Sequence, residues 1–193
     1  LDDLAQAKGL TREAVIRLLS EARFQVYMIG FMPGFPYMGG LPAVLEVPRL
    51  ASPRKAVPAR SLAVAGSMCA VYPWESPGGW RLLGRTPIPM FSAQEVDAPS
   101  LLASGDRVRW QSIDRAAYAE MENAVAAGAF DRKSLLLAKE ANVVALDSGF
   151  AGQLRTSLRQ AMRDDAVELR AAVMDQSAVR GQPDRTVGML GDR

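Results

Sequence analysis

The sequence predicts a mainly β protein, an antiparallel barrel or sandwich flanked by helices. Three observations carry that expectation. Between about residues 24 and 113, short segments rich in β-branched and aromatic residues alternate with loops dense in proline and glycine. Ten of the thirteen aromatic residues lie at or before Trp110, so the aromatic core closes there. On either side the texture changes to the wider apolar spacing of helices.

The elements follow in order. Residues 2 to 22 read as two short helices. Leu4, Leu10, Val15, Leu18 and Leu19 supply the apolar stripe, Gly9 breaks it as a helix end does, and Thr11 is placed to cap the second helix. The same spacing resembles a DNA-binding helix-turn-helix, but it lacks a dense basic face and a strand-like segment follows at once. FQVYMIGF, from Phe24, reads as a strand. FMPGFPYMGGLP then reads as a loop. LAVAG (62 to 66), MCAVY (68 to 72), WRLLG (80 to 84) and DRVRW (106 to 110) are further strand candidates. RAAYAEMENAVAAGAF, after Asp114, reads as a helix ending near Gly128. Residues 151 to 180 carry another helical pattern, and GQPDRTVGMLGDR reads as a frayed end. The resulting division is 1–23 helical, 24–113 barrel and 114–193 helical tail.

Composition narrows the chemistry. The chain of 193 residues contains no histidine, which excludes a histidine-activated nucleophile, a histidine metal site and an imidazole proton shuttle. The single cysteine, Cys69, sits in an apolar strand candidate and reads as a buried, inert thiol, with no call for an oxidising compartment. No apolar run is long enough to span a bilayer and no signal peptide is visible, so a cytoplasmic location is expected. The chain begins at Leu1 rather than Met, and residues upstream of it are expected. A net charge of +2 is too small for wholesale nucleic-acid binding. Locally the balance differs: Arg49, Arg54, Lys55, Arg60, Arg81 and Arg85 face Glu75 alone. That excess, in a Pro/Gly-rich region, suits a carboxylate or phosphate ligand, or a solvated basic surface.

Two Pro-Gly pairs, Pro33-Gly34 and Pro77-Gly78, are placed as type II turns, each flanked by rings. Rigid turns of this kind hold flat walls around a pocket, or simply cap a barrel with aromatic lids. Neither is a phosphate-binding P-loop, and no GxGxxG occurs. Glu75 has two readings, a general base or the partner that orients Arg81 or Arg85.

GFMPGFPYMGGLP (30 to 42), PRLASPRKAVPARSLAVAG (48 to 66), YPWESPGGWRLLGRTP (72 to 87) and LLASGDRVRW (101 to 110) carry a family resemblance. The region from about Asp2 to Ile113 resembles the family labelled allophanate hydrolase subunit 1, with carboxyltransferase subdomains C and D. That family includes a subunit of bacterial 5-oxoprolinase, the KipI inhibitor of a sensor histidine kinase, and part of urea carboxylase. The resemblance implies a cyclophilin-like β-barrel preceded by the end of a truncated α/β domain. It implies a hydrolase subunit that opens 5-oxoproline to L-glutamate with ATP (as Mg-ATP in the complex). It also implies dependence on a companion subunit 2 (PxpC-like) and a third, PxpA-like, subunit. Kinase inhibition and carboxyl transfer to urea are the alternatives. No metal site is expected in this chain. Where many members read GGQTG before the tyrosine, this chain has Gly66-Ser67-Met68-Cys69-Ala70.

The candidate site residues are Glu75 and Arg85 as catalytic groups, with Phe35, Arg54, Tyr72, Trp80 and Arg81 as ligand-binding groups. Arg54 and Arg85 are expected to hold an anionic group, and Trp80 to stack on a flat ligand.

Overall fold

A computed structural model describes residues 1–135 and the backbone of a strand at 168–175. Two helices open the chain, α1 (Asp2–Lys8) and α2 (Arg12–Glu21). Gly9 ends the first in the left-handed conformation, φ 63°, which costs glycine no Cβ clash. Thr11 caps the second by accepting from the Ala14 N–H. Both features follow the sequence expectation.

The strands are β1 (Phe24–Ile29), β2 (Pro36–Gly39), β3 (Arg54–Val57), β4 (Ser61–Ala65), β5 (Met68–Val71), β6 (Ser76–Gly78), β7 (Arg81–Arg85), β8 (Arg107–Ser112) and β9 (Glu168–Asp175). Seven of them close a barrel in the order β1-β2-β5-β4-β7-β9-β8, with β8 returning to pair with β1. Strands β3 and β6 form a separate two-stranded sheet. A third helix, α3 (Arg115–Ala126), is capped by Asp114, whose side chain accepts from the Ala117 N–H.

The barrel wall is buried on both faces, and β4 and β5 show why. Leu62 pairs with Val71 and Val64 with Cys69; these four fill the barrel interior together with Phe24, Val26 and Val108. Ala63 pairs with Ala70 on the opposite face, where Phe35, Val57, Tyr72 and Trp80 build a second apolar cluster. Strand side chains alternate between faces, so a strand covered on both sides reads as a continuous apolar run. The helices join the first core through Leu4, Ala5, Val15 and Leu19. The segment after β8 docks on the barrel too: the Tyr118 hydroxyl donates to the Thr86 carbonyl, Glu122 pairs with Arg60, and Leu135 is buried in the main core.

Three expectations change. The stretch read as a loop at 31–42 contains β2, because Pro36 tolerates the first position of a strand and Gly39 lets the Tyr27 ring cross it. Pro77-Gly78 is not a type II turn: residues 76–78 form β6, opposite Arg54 and Val57 on β3, and no positive φ occurs there. Pro33-Gly34 does hold, with Gly34 at φ 77° and the Phe35 N–H donating to the Met32 carbonyl. Within the helical pattern at 151–180, residues 168–175 are strand, antiparallel to β7 and parallel to β8. Free strand edges outweigh local helix propensity. The rest of that pattern, and the frayed end, lie outside the described residues.

Candidate functional site

The second apolar cluster opens to solvent as a cavity of about 300 Å3. Its walls are aromatic. Phe35 stands edge-on to Tyr72, Trp80 and Phe31, with ring centroids 5.2, 6.0 and 5.3 Å away, and Tyr37 lies 4.9 Å from it. Edge-to-face packing of this kind locks rings against one another. Pro53, Pro77, Gly78 and Gly79 form the opposite lip.

The polar groups are few and placed. The Arg49 guanidinium lies over the Trp80 ring, 5.7 Å from its centroid. The Leu50 N–H donates to the Gly79 carbonyl at 2.7 Å, which ties the Arg49 segment to the β6–β7 connection. Behind the wall, Arg54 Nη1 donates to the Trp80 carbonyl at 2.8 Å. The Tyr72 hydroxyl meets the cavity beside Gly78; a Cβ added at Gly78 would lie 2.3 Å from that oxygen. Burial pushes the Tyr72 phenol above its ordinary value, opposed in smaller measure by the Trp80 backbone, Arg49 and Arg54. Tyr72 is therefore a neutral hydrogen-bond donor at physiological pH, in a field made positive by two guanidinium groups.

The rim holds backbone strain. Phe31 is exposed at φ 66°, a region that a bulky residue rarely adopts. The Met32 N–H donates to the Gly30 carbonyl across it, and the Gly30 N–H donates to the Phe35 carbonyl, so the surrounding bonds impose the conformation. This arrangement offers an apolar slot for a flat, small molecule, one guanidinium for an anionic group at its mouth, and one phenol donor deeper in.

Of the expected site residues, the structure gathers Phe35, Tyr72 and Trp80 in this cavity. It places the others elsewhere. Arg54 backs the wall without lining the cavity. Arg81 stands opposite Val64, whose side chain is in the barrel interior, so strand alternation turns Arg81 away from the aromatic cluster. A bulge at Leu83 shifts the register, and Arg85 Nε donates to the Ala59 carbonyl at 3.1 Å. Glu75 is exposed, is not a lining residue, and makes no ion pair with Arg81 or Arg85 among the described residues. Sequence reasoning passed over Arg49 and Tyr37. Both were visible, as a member of the basic group and as a flanking ring, but nothing local pointed them at one slot.

Cys69 is fully buried, and its surroundings push the thiol far above the ordinary range by desolvation. It belongs to the barrel core, while Met68 packs against the aromatic cluster. The Met68-Cys69 pair thus supplies packing to both faces of the barrel wall. Among the described residues, no group of three or more acidic or thiol side chains is arranged to hold a metal ion. No helix of the described residues is long and apolar enough to cross a membrane.

Comparison with known proteins matches residues 1–102 to the model of the carboxyltransferase domain, subdomain C and D. A protein of Bacillus subtilis (strain 168), named as a subunit of 5-oxoprolinase, is 42% identical over 126 residues, covering 64% of this chain and 52% of the relative. A second protein of the same name, from Haemophilus influenzae, is 46% identical over 110 residues, covering 57% of this chain and 51% of the relative. The chain thus spans about half the length of these curated relatives. The crystal structure of a conserved uncharacterized protein from Pyrococcus horikoshii superposes with a TM-score of 0.58 at 41% identity, covering 61% of this chain and 54% of that one.

Proposed function

The chain belongs to the family of carboxyltransferase domains, subdomain C and D, and on that premise we propose that it is part of a subunit of an ATP-dependent 5-oxoprolinase. The enzyme would open 5-oxoproline to L-glutamate and would act in the cytoplasm with companion subunits of the PxpC and PxpA kinds. Two relatives named as 5-oxoprolinase subunits support the reading. The observation that carries it in this chain is Arg49 over Trp80 at the mouth of an aromatic slot with a neutral Tyr72 donor inside.

5-Oxoproline is a small, nearly flat lactam with one carboxylate. Its carboxylate suits Arg49, its ring suits Trp80 and Phe35, and its lactam oxygen suits the Tyr72 hydroxyl. Charge grows on that oxygen when the amide is attacked, so a donor fixed there stabilises the reacting state more than the ground state. Among the described residues the slot offers one arginine, and the sequence carries no glycine-rich phosphate loop. The nucleotide and the attacking water would be held by a companion subunit. That division agrees with a chain that has no histidine and a solvent-exposed Glu75.

The test is ATP-dependent L-glutamate release from 5-oxoproline by the complete protein with its companions. Absence of turnover, with urea-dependent discharge of carboxybiotin instead, would move the assignment to a urea carboxylase. A second reading rests on exposed apolar side chains, Phe31 at the slot and Tyr27, Met28 and Trp74 elsewhere on the surface. They suit protein docking, and so a KipI-like inhibitor of a sensor histidine kinase. Inhibition of kinase autophosphorylation by the complete protein without companions supports that reading.

A further inference from the structure

Among the described residues, two other than glycine have positive φ, Phe31 and Arg60, each at 66°. They differ in what holds them. The Arg60 N–H donates to the Tyr72 carbonyl at 2.6 Å, and the Arg60 carbonyl accepts from the Thr86 N–H at 3.0 Å. The Arg60 guanidinium donates to the Pro87 carbonyl and to Glu122. Those bonds offset the backbone strain within the chain. At Phe31 the bonds run around the residue instead, and its own backbone takes part in none of them. The Met32 N–H donates across it to the Gly30 carbonyl at 2.7 Å, which with φ 66° matches the rare, strained form of the three-residue γ-turn. In the same loop, Gly34 meets its positive φ with a residue that has no Cβ; position 31 carries a phenyl ring.

That ring does little for the packing of its own chain. It is 64% exposed and stands edge-on to Phe35 at 5.3 Å. Yet it lines the aromatic slot, accessible from the same cavity as Arg49, Tyr72 and Trp80. Phe35 joins it to the rest of the wall, with Trp80 6.0 Å from Phe35 on the other side and Arg49 over Trp80. An accessible apolar ring on a cavity wall, held there by a strained turn, offers surface for a bound molecule to cover. We infer that Phe31 is a ligand-contact residue of the slot, held by the γ-turn where a flat carboxylate packs on its ring. Phe31 then favours planar ligands at the expense of the stability of its own loop. The inference rests on the slot being a site for a flat carboxylate, of which 5-oxoproline is one.

The experiment compares wild type with Phe31→Gly, Phe31→Ala and Phe31→Tyr in the complete protein. 5-Oxoproline and benzoate, a second flat carboxylate, are titrated by calorimetry, and urea midpoints are measured without ligand. Phe31→Gly removes both ring and strain. It should bind the probes about three- to tenfold more weakly while its urea midpoint rises. Phe31→Ala removes the ring and keeps the strain, so it should lose binding equally with no rise in midpoint. Phe31→Tyr keeps the ring and should bind as wild type does. Benzoate bound without 5-oxoproline, and lost in Phe31→Gly, counts against the 5-oxoprolinase reading and supports the contact inferred for Phe31. Binding of neither probe to wild type overturns the inference. So does unaltered binding to Phe31→Gly, or a Phe31→Gly midpoint that does not rise.

Discussion

Replacing Gly78 by alanine adds one methyl group at the point where β6 meets the aromatic slot. The added Cβ would lie 2.3 Å from the Tyr72 hydroxyl oxygen, 2.7 Å from Cζ and 2.9 Å from Cε1. Ordinary non-bonded carbon contacts are about 3.5–4.0 Å. Neither side can yield easily. Tyr72 is 2% exposed and stands edge-on to Phe35. Gly78 is held in register with Arg54. Its φ is not in the left-handed region, so alanine meets no backbone strain and the effect isolates the steric contact. Overpacking costs about 1–3 kcal/mol. The loss of chain entropy in the unfolded state returns about 0.4–1 kcal/mol. The expected net destabilisation is about 1–2 kcal/mol, read as a lower urea midpoint with an unchanged m-value. Tyr72→Phe removes the nearest atom and with it the closest contact of the added methyl group. The two changes should therefore be less than additive in a double-mutant cycle. A Gly78→Ala protein as stable as wild type, or an additive cycle, refutes the packing described for this wall.

Further outcomes follow from the same geometry. Gly34→Ala should cost more, about 2–4 kcal/mol, because it combines φ 77° with a Cβ placed 2.7 Å from the Met90 carbonyl oxygen; the urea midpoint measures it. The Cys69 thiol should resist a disulfide reagent in the native protein and react at once in denaturant. Tyr72 should ionise above the ordinary tyrosine value near 10, measured as the phenolate absorbance of wild type minus Tyr72→Phe. Its folded-state pKa is raised, so its contribution to stability is fully present below the unfolded value and is lost as pH rises through the folded one.

The barrel was largely legible because β4, β5, β7 and β8 announce themselves by apolar and β-branched runs, and because Gly9, Thr11 and Gly34 do what their residue types do locally. What local pattern misses is decided by distant partners. Strand β6 looks like a turn until Arg54 and Val57 pair with it. A helical pattern yields a strand at 168–175 where β7 and β8 offer edges. The aromatic half of the site was visible, since Phe35, Tyr72 and Trp80 flank the Pro-Gly segments. The cationic half was not. Which arginine reaches the slot depends on the Leu50–Gly79 bond, on the register that turns Arg81 to Val64, and on the bulge before Arg85. None of these leaves a mark in spacing or composition.

On the proposed reading, Arg49 anchors the substrate carboxylate over Trp80. Steady-state kinetics of Arg49→Gln in the complete protein, assembled with its companion subunits, tests that role most directly. Loss of one charge-assisted contact of about 1.5–3 kcal/mol predicts that kcat/KM for 5-oxoproline falls by about ten- to a hundred-fold, mainly through KM, while loss of the cation–π contact with Trp80 lowers stability by no more than about 1 kcal/mol. An unaltered kcat/KM in a folded, assembled variant contradicts it.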